Sequence, residues 1–124
     1  MIVAIDGPAA SGKSTAAIGV AKALNITHID TGAMYRAITF GLIKNQINFR
    51  DVEAIEAYLN IFKLKFFIKE NKTALMLDNT DITEKIRSNK INENVSEVSA
   101  IKIVRHFMVK IQREMAKDND CILE

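Results

Sequence analysis

The chain has 124 residues, enough for one domain with a core of its own and too few for two ordinary ones. Hydrophobic residues make up 48% and charged residues 26%, which places it in the soluble globular class. With 17 basic and 15 acidic residues the net charge is +2, too balanced to argue for a nucleic-acid polymer or an anionic membrane as partner, so any anion recognition must be local.

Ile2-Val3-Ala4-Ile5 is a short apolar run rich in β-branched residues, as a buried parallel strand requires. Gly7-Pro8-Ala9-Ala10-Ser11-Gly12-Lys13-Ser14, followed by Thr15, fits G-x-x-x-x-G-K-[ST], the phosphate-binding loop. Two glycines let successive backbone N–H groups turn inward as an anion nest. Lys13 can reach the outer phosphates of a bound nucleotide, and the Ser14 hydroxyl can ligate Mg2+. A helix is expected over Ser14 to Leu24, with Asn25 as a left-handed cap, and its start adds unpaired N–H groups and partial positive charge.

Ile26-Thr27-His28-Ile29 reads as a second strand, parallel to the first across the crossover helix. Asp30-Thr31-Gly32 ends it. Ligands in open α/β sheets bind at the carboxyl ends of the strands, so Asp30 to Arg36 is a second candidate site by position. His28 has no partner at ligand spacing and reads as a packed or edge histidine rather than a metal ligand. Ala33 to Lys44 is helical, with Met34, Ile38 and Leu42 near one face. Arg36 falls one turn in, where a guanidinium can pair bidentately with a phosphate or simply be solvated.

Asn45-Gln46-Ile47-Asn48 is a polar connection. A short helix follows over Asp51 to Leu59, with Asp51 as N-cap. Phe62 to Ile68 then alternates as a half-exposed strand does, Lys69-Glu70-Asn71-Lys72 is a turn, and Thr73 to Leu77 pairs back as a hairpin. Asp78-Asn79-Thr80-Asp81 is another turn cluster. Antiparallel hairpins do not belong in a parallel β-α series, so residues from about 62 onward read as an insertion with its own small sheet. Ile101 to Lys117 carries an apolar stripe of Ile101, Val104, Phe107, Met108, Ile111 and Met115 at helical spacing, with Lys102, Arg105, Lys110 and Arg113 off it as a solvated face. Cys121-Ile122-Leu123 reads as a third strand. Cys121 is the only cysteine, so no internal disulfide forms. The first apolar stretch lacks a basic leader and no apolar run approaches the ~20 residues of a membrane span, so a cytoplasmic protein without signal peptide or membrane segment is expected.

Several separate stretches together resemble the N-terminal part of the bacterial cytidylate kinase family. They are Ile5-Asp6-Gly7-Pro8 through Thr15, Ile29 to Arg36, Asp81 to Arg87, and Asn94 to Ala100 continuing through Val104-Arg105 to Gln112-Arg113 as one following helix. The loop at Gly7 is shared by many enzymes; the blocks Asp30 to Arg36 and Val95 to Arg105 are more specific. The resemblance implies a fold class: α/β, an incomplete parallel sheet of the P-loop nucleoside monophosphate kinase type with an inserted small α+β CMP-binding subdomain. Residues 1–61 are then the first part of the P-loop core, 62–118 the insert and 119–124 the start of a third core strand.

It also implies ATP as donor, with Mg2+, and CMP or dCMP as acceptor, giving ADP and CDP or dCDP. Carried over by position, Asp30, Thr31, Gly32 and Arg36 lie at the CMP side, Ser96 faces the cytosine and Arg105 contacts the base or phosphate region. Lys13 and Arg36 are the catalytic residues, acting by positioning and charge neutralisation. Lys102 stands where relatives often have proline. The family's Gly-Arg-Asp block, arginine-bearing lid and adenine-contacting segment have no counterpart here, and Glu124 matches the acidic position before that block. The chain is therefore expected to be truncated and to transfer phosphate poorly alone, the complete protein being a monomer. Two alternatives stay open: another small-molecule P-loop kinase, and a non-catalytic nucleotide-binding remnant.

Overall fold

The computed structural model describes residues 2–4, 27–69, 72–118 and 121–123. The phosphate-loop residues Gly7 to Thr15, the helix expected over Ser14 to Leu24 and Glu124 lie outside the described residues. In chain order the elements are β1 (Ile2–Ala4), β2 (Thr27–Ile29), α1 (Thr31–Lys44), α2 (Val52–Ile61), β3 (Leu64–Lys69), β4 (Lys72–Leu77), β5 (Thr80–Asp81), a 3-10 turn (Lys85–Arg87), α3 (Asn89–Ser99), α4 (Lys102–Asp118) and β6 (Cys121–Leu123).

Three short strands form a parallel sheet in the order β1-β6-β2. Cys121 pairs with Ile2 on one side and Thr27 on the other, and Leu123 with Ala4 and Ile29. The first two strands are thus parallel, as expected, but they are not neighbours: the third enters between them. Ala4, Ile29 and Leu123 end at one edge, and Asp30 leaves the sheet there.

Asp30 is extended and caps α1, its Oδ1 accepting from the Ala33 N–H at 3.0 Å. The cap places the helix start at Thr31, two residues before the periodicity implied. The other end of α1 is a Schellman turn. Gln46 has φ 55°, its N–H donates to the Ile43 carbonyl at 3.0 Å, and the Ile47 N–H donates to the Leu42 carbonyl at 2.9 Å. Ile47 packs against the cluster that holds Leu42. The connection after α1 is therefore a helix stop and not merely a polar linker. Asp51 caps α2 as expected, accepting from the Ala54 N–H at 3.1 Å, and the helix runs on to Ile61.

β3 and β4 pair antiparallel, Leu64 opposite Leu77 and Phe66 opposite Leu75. Leu64 and Phe66 reach the core while Lys65 and Phe67 are exposed, the alternation of a one-sided sheet. Phe62 does not join the strand; it ends α2 and stacks edge-on between Tyr58 and Phe107, with ring centroids 5.9 and 5.8 Å away. Asp78 and Asn79, at φ 49° and 68°, form a two-residue hairpin turn between paired Leu77 and Thr80, so the turn cluster also supplies a third strand. The expected single helix from Asn94 to Arg113 is two helices. α3 starts at Asn89, capped by the Ser88 hydroxyl, and stops at Ala100; α4 restarts with the Ile101 carbonyl accepting from Arg105 N–H at 3.0 Å.

The core lies on both sides of α1. Met34, Ile38 and Leu42 join Ile55, Tyr58 and Leu59 of α2, Val98 of α3, and Val104 and Met108 of α4. Ala33 and Ala37 join Leu75 and Leu77 of β4, Ile82 and Ile86. Both clusters draw residues from either side of position 62. Gly41 fills the remaining side of the helix: a Cβ there would lie 1.8 Å from the Tyr58 Oη. Gly→Ala inside a helix ordinarily stabilises by ~1 kcal/mol. Here Gly41→Ala is expected to destabilise by about 1–3 kcal/mol through overpacking. Urea denaturation checks this, and a raised midpoint would contradict the contact.

Candidate functional site

The site grows from the edge where the parallel strands end. Asp30 follows β2 directly and is half-buried, its carboxylate committed to the cap of α1. Thr31 is half-buried in the first turn of the helix. Gly32 is exposed, and among the described residues an added Cβ would meet only the Asp30 Oδ1, at 3.4 Å.

Arg36, half-buried and one turn further on, turns away from the helix axis and joins two other elements. Its Nη1 donates to the Ile86 carbonyl of the 3-10 turn at 3.3 Å and to the Asn92 Oδ1 of α3. The second contact was not foreseen from the sequence. A signal for it exists: Asn92 precedes Ser96 by four residues, so the two share a helix face. Ser96 thus lies one turn along α3 from the residue that holds Arg36, and it is exposed. Arg105 is exposed on α4, one turn after the break at Ala100. The structure brings Arg36, Asn92 and the Ser96 face together; no hydrogen bond joins Arg105 to them among the described residues.

Lys13 and Ser14, expected from the motif to hold phosphate and Mg2+, lie outside the described residues, as do Gly7 to Gly12 and Thr15. Among the described residues no group of three or more His, Cys, Asp or Glu is placed to hold a metal ion, and no helix is long and apolar enough to cross a membrane. His28 sits in β2 opposite Ile122.

A cavity of about 90 Å³ opens elsewhere, at the other end of α1. Gly41, Lys44, Tyr58, Asp78 and Thr80 are among its walls. Its small volume and its distance along α1 from Asp30 set it apart from the edge site. Burial pushes the Tyr58 phenol up to about 12, with the negative charge of Asp78 adding to the shift.

The chain is thus a mixed α/β protein with a short parallel sheet, a small antiparallel sheet and, on the helix that follows β2, an arginine fastened to the 3-10 turn and to α3. The cytidylate kinase family profile matches residues 3–124, and the chain belongs to that family. It is 48% identical over its whole length to a cytidylate kinase of Fusobacterium nucleatum, covering 55% of that protein. It is 41% identical to one of Protochlamydia amoebophila, covering 54%, and 40% identical to one of Halalkalibacterium halodurans, covering 56%, again over its full length. The chain spans about half the length of these curated relatives.

The raised phenol carries a pH signature. The folded state holds the Tyr58 proton more tightly than the unfolded chain, so its contribution is present below pH 10 and lost as pH rises to about 12. Between those limits the slope is about 1.4 kcal/mol per pH unit. Tyr58→Phe is expected to lose that component of the alkaline decline, measured as the difference between the two proteins' stability curves; parallel curves would refute it.

Proposed function

We propose that this chain carries the acceptor side and the phosphate loop of an ATP-dependent nucleoside monophosphate kinase that phosphorylates CMP or dCMP. The observation that carries the reading is Arg36: it lies on the helix that follows β2 at the sheet's carboxyl edge, its Nη1 is anchored, and its Nε and Nη2 have no partner among the described residues. A fixed guanidinium with a planar edge that no described residue occupies suits a phosphate, which accepts two parallel N–H bonds. Ser96, one turn along α3 from Asn92, then stands on the side of the base, and Arg105 adds positive charge. Family membership supports the same substrates, since the curated relatives are named cytidylate kinases.

The donor side rests on motif chemistry. Gly7 stands three residues beyond Ala4 in the sequence, following a strand that ends at the same edge as β2. The loop amides and Lys13 would hold the β- and γ-phosphates of ATP, and Ser14 is the residue that would hold Mg2+. Two anionic substrates repel, so the task of Lys13, Arg36 and Arg105 is to offset that repulsion and align acceptor oxygen with donor phosphorus. We read residues 1–61 as the first part of a P-loop core, 62–118 as the acceptor-side subdomain seated on α1 and α2, and 119–124 as the start of the third core strand.

The native gene product is expected to form CDP from CMP and ATP, with UMP, AMP and shikimate as poor acceptors. Lys13→Ala should lower turnover on the order of 100-fold or more. Arg36→Lys should raise the KM for CMP about tenfold, because an ammonium loses the two-point contact. Product analysis and steady-state kinetics check both. Retained turnover in Lys13→Ala would remove the phosphate loop from the mechanism. CMP binding without CDP formation would favour a nucleotide-binding chain that does not transfer phosphate.

A further inference from the structure

The guanidinium of Arg36 has five N–H donors: two on each terminal nitrogen and one on Nε. Both donors of Nη1 are spoken for, one by the Ile86 carbonyl and one by the Asn92 Oδ1. A planar guanidinium offers a bidentate partner either its end, through Nη1 and Nη2, or its side, through Nε and Nη2. With Nη1 occupied, only the side remains. The two acceptors are of different kinds. The Ile86 carbonyl is backbone, placed by the 3-10 turn and by the burial of the Ile86 side chain among Ala33, Ala37 and Ile82. Asn92 is a side chain on the exposed surface of α3, and its amide is not used to build the core. Its visible task is to hold Arg36.

From this we infer that Asn92 is a positioning residue: by occupying Nη1 it presents the Nε/Nη2 side of Arg36 to an anionic phosphate ester. The inference rests on the nucleotide reading above and adds to it a residue on α3 that never touches the phosphate. Removing the acceptor leaves Arg36 charged and present but free to turn about its side-chain bonds. The ordering of one long side chain must then accompany binding, which weakens affinity by about three- to tenfold.

The test is a double-mutant cycle on the native gene product, with CMP titrated calorimetrically. Asn92→Leu keeps the side chain's approximate size without the acceptor; Arg36→Ala removes the group it orients. Asn92→Leu is expected to weaken CMP three- to tenfold, leave ATP affinity unchanged, leave the melting temperature unchanged and have no further effect on top of Arg36→Ala. An unchanged CMP affinity in Asn92→Leu, with a large loss in Arg36→Ala, would overturn the positioning role and leave the nucleotide reading intact. An equal loss from Asn92→Leu with and without Arg36 would also overturn it. If Arg36→Ala itself leaves CMP binding unchanged, Arg36 does not hold the phosphate, and both readings fall.

Discussion

Helix α1 must be buried on two sides at once. Its Met34, Ile38 and Leu42 side meets α2, α3 and α4, while its Ala33 and Ala37 side meets β4, Ile82 and Ile86. A helix pressed between two clusters needs large residues where the gap is wide and small ones where a neighbour comes close. Gly41 marks the closest approach, with the Tyr58 ring lying where a side chain would be. Even Thr39, fully buried, is tolerated because its hydroxyl donates back to the Tyr35 carbonyl at 2.8 Å. The three other helices, β4 and the 3-10 turn are arranged around this helix, and its fixed ends follow from the Asp30 cap at one side and the Gln46 turn at the other.

The candidate site uses the same constraint. β2 feeds α1 directly, so Asp30 stands at the strand's end and Arg36 follows on the buried helix. Arg36 lies at the boundary of the smaller cluster, where Ile86 turns its side chain inward and its carbonyl toward the guanidinium. α3 completes the arrangement by packing on α1 and bringing Asn92 into reach. The packing that stabilises the fold therefore also limits which edge of Arg36 is available. This coupling explains how residues from positions 36, 86 and 92 form one unit without a shared local motif.

The elements that were legible beforehand are those whose signals are local. Asp51 before an apolar-periodic run announced a capped helix, and the alternation after Phe62 announced a hairpin. The stripe from Ile101 to Ile111 announced a helix whose Val104 and Met108 are indeed buried. α3 was poorly legible because only Ile91 and Val98, seven residues apart, are buried in it. Such a sparse pattern looks polar throughout until a partner helix is present. The break at Ala100 was equally obscure, since no proline or glycine marks it; the chain turns there so that both helices can reach one cluster. Gln46 hid its role because a left-handed turn is commonly glycine's work.

The sequence by itself determined the family, the third strand and the hairpin, because each is written in neighbouring residues or in a run that matches as a block. It also named Asp30 at a strand end, although its cap to Ala33 emerged only with the helix start. Tertiary structure alone decided that β6 enters between β1 and β2, that α1 has two buried faces, and that Asn92 meets Arg36. These are pairings across 50 or more residues for Arg36 with Ile86 and Asn92. Their energetics depend on how packed elements approach one another, and no local pattern of residue types encodes that approach.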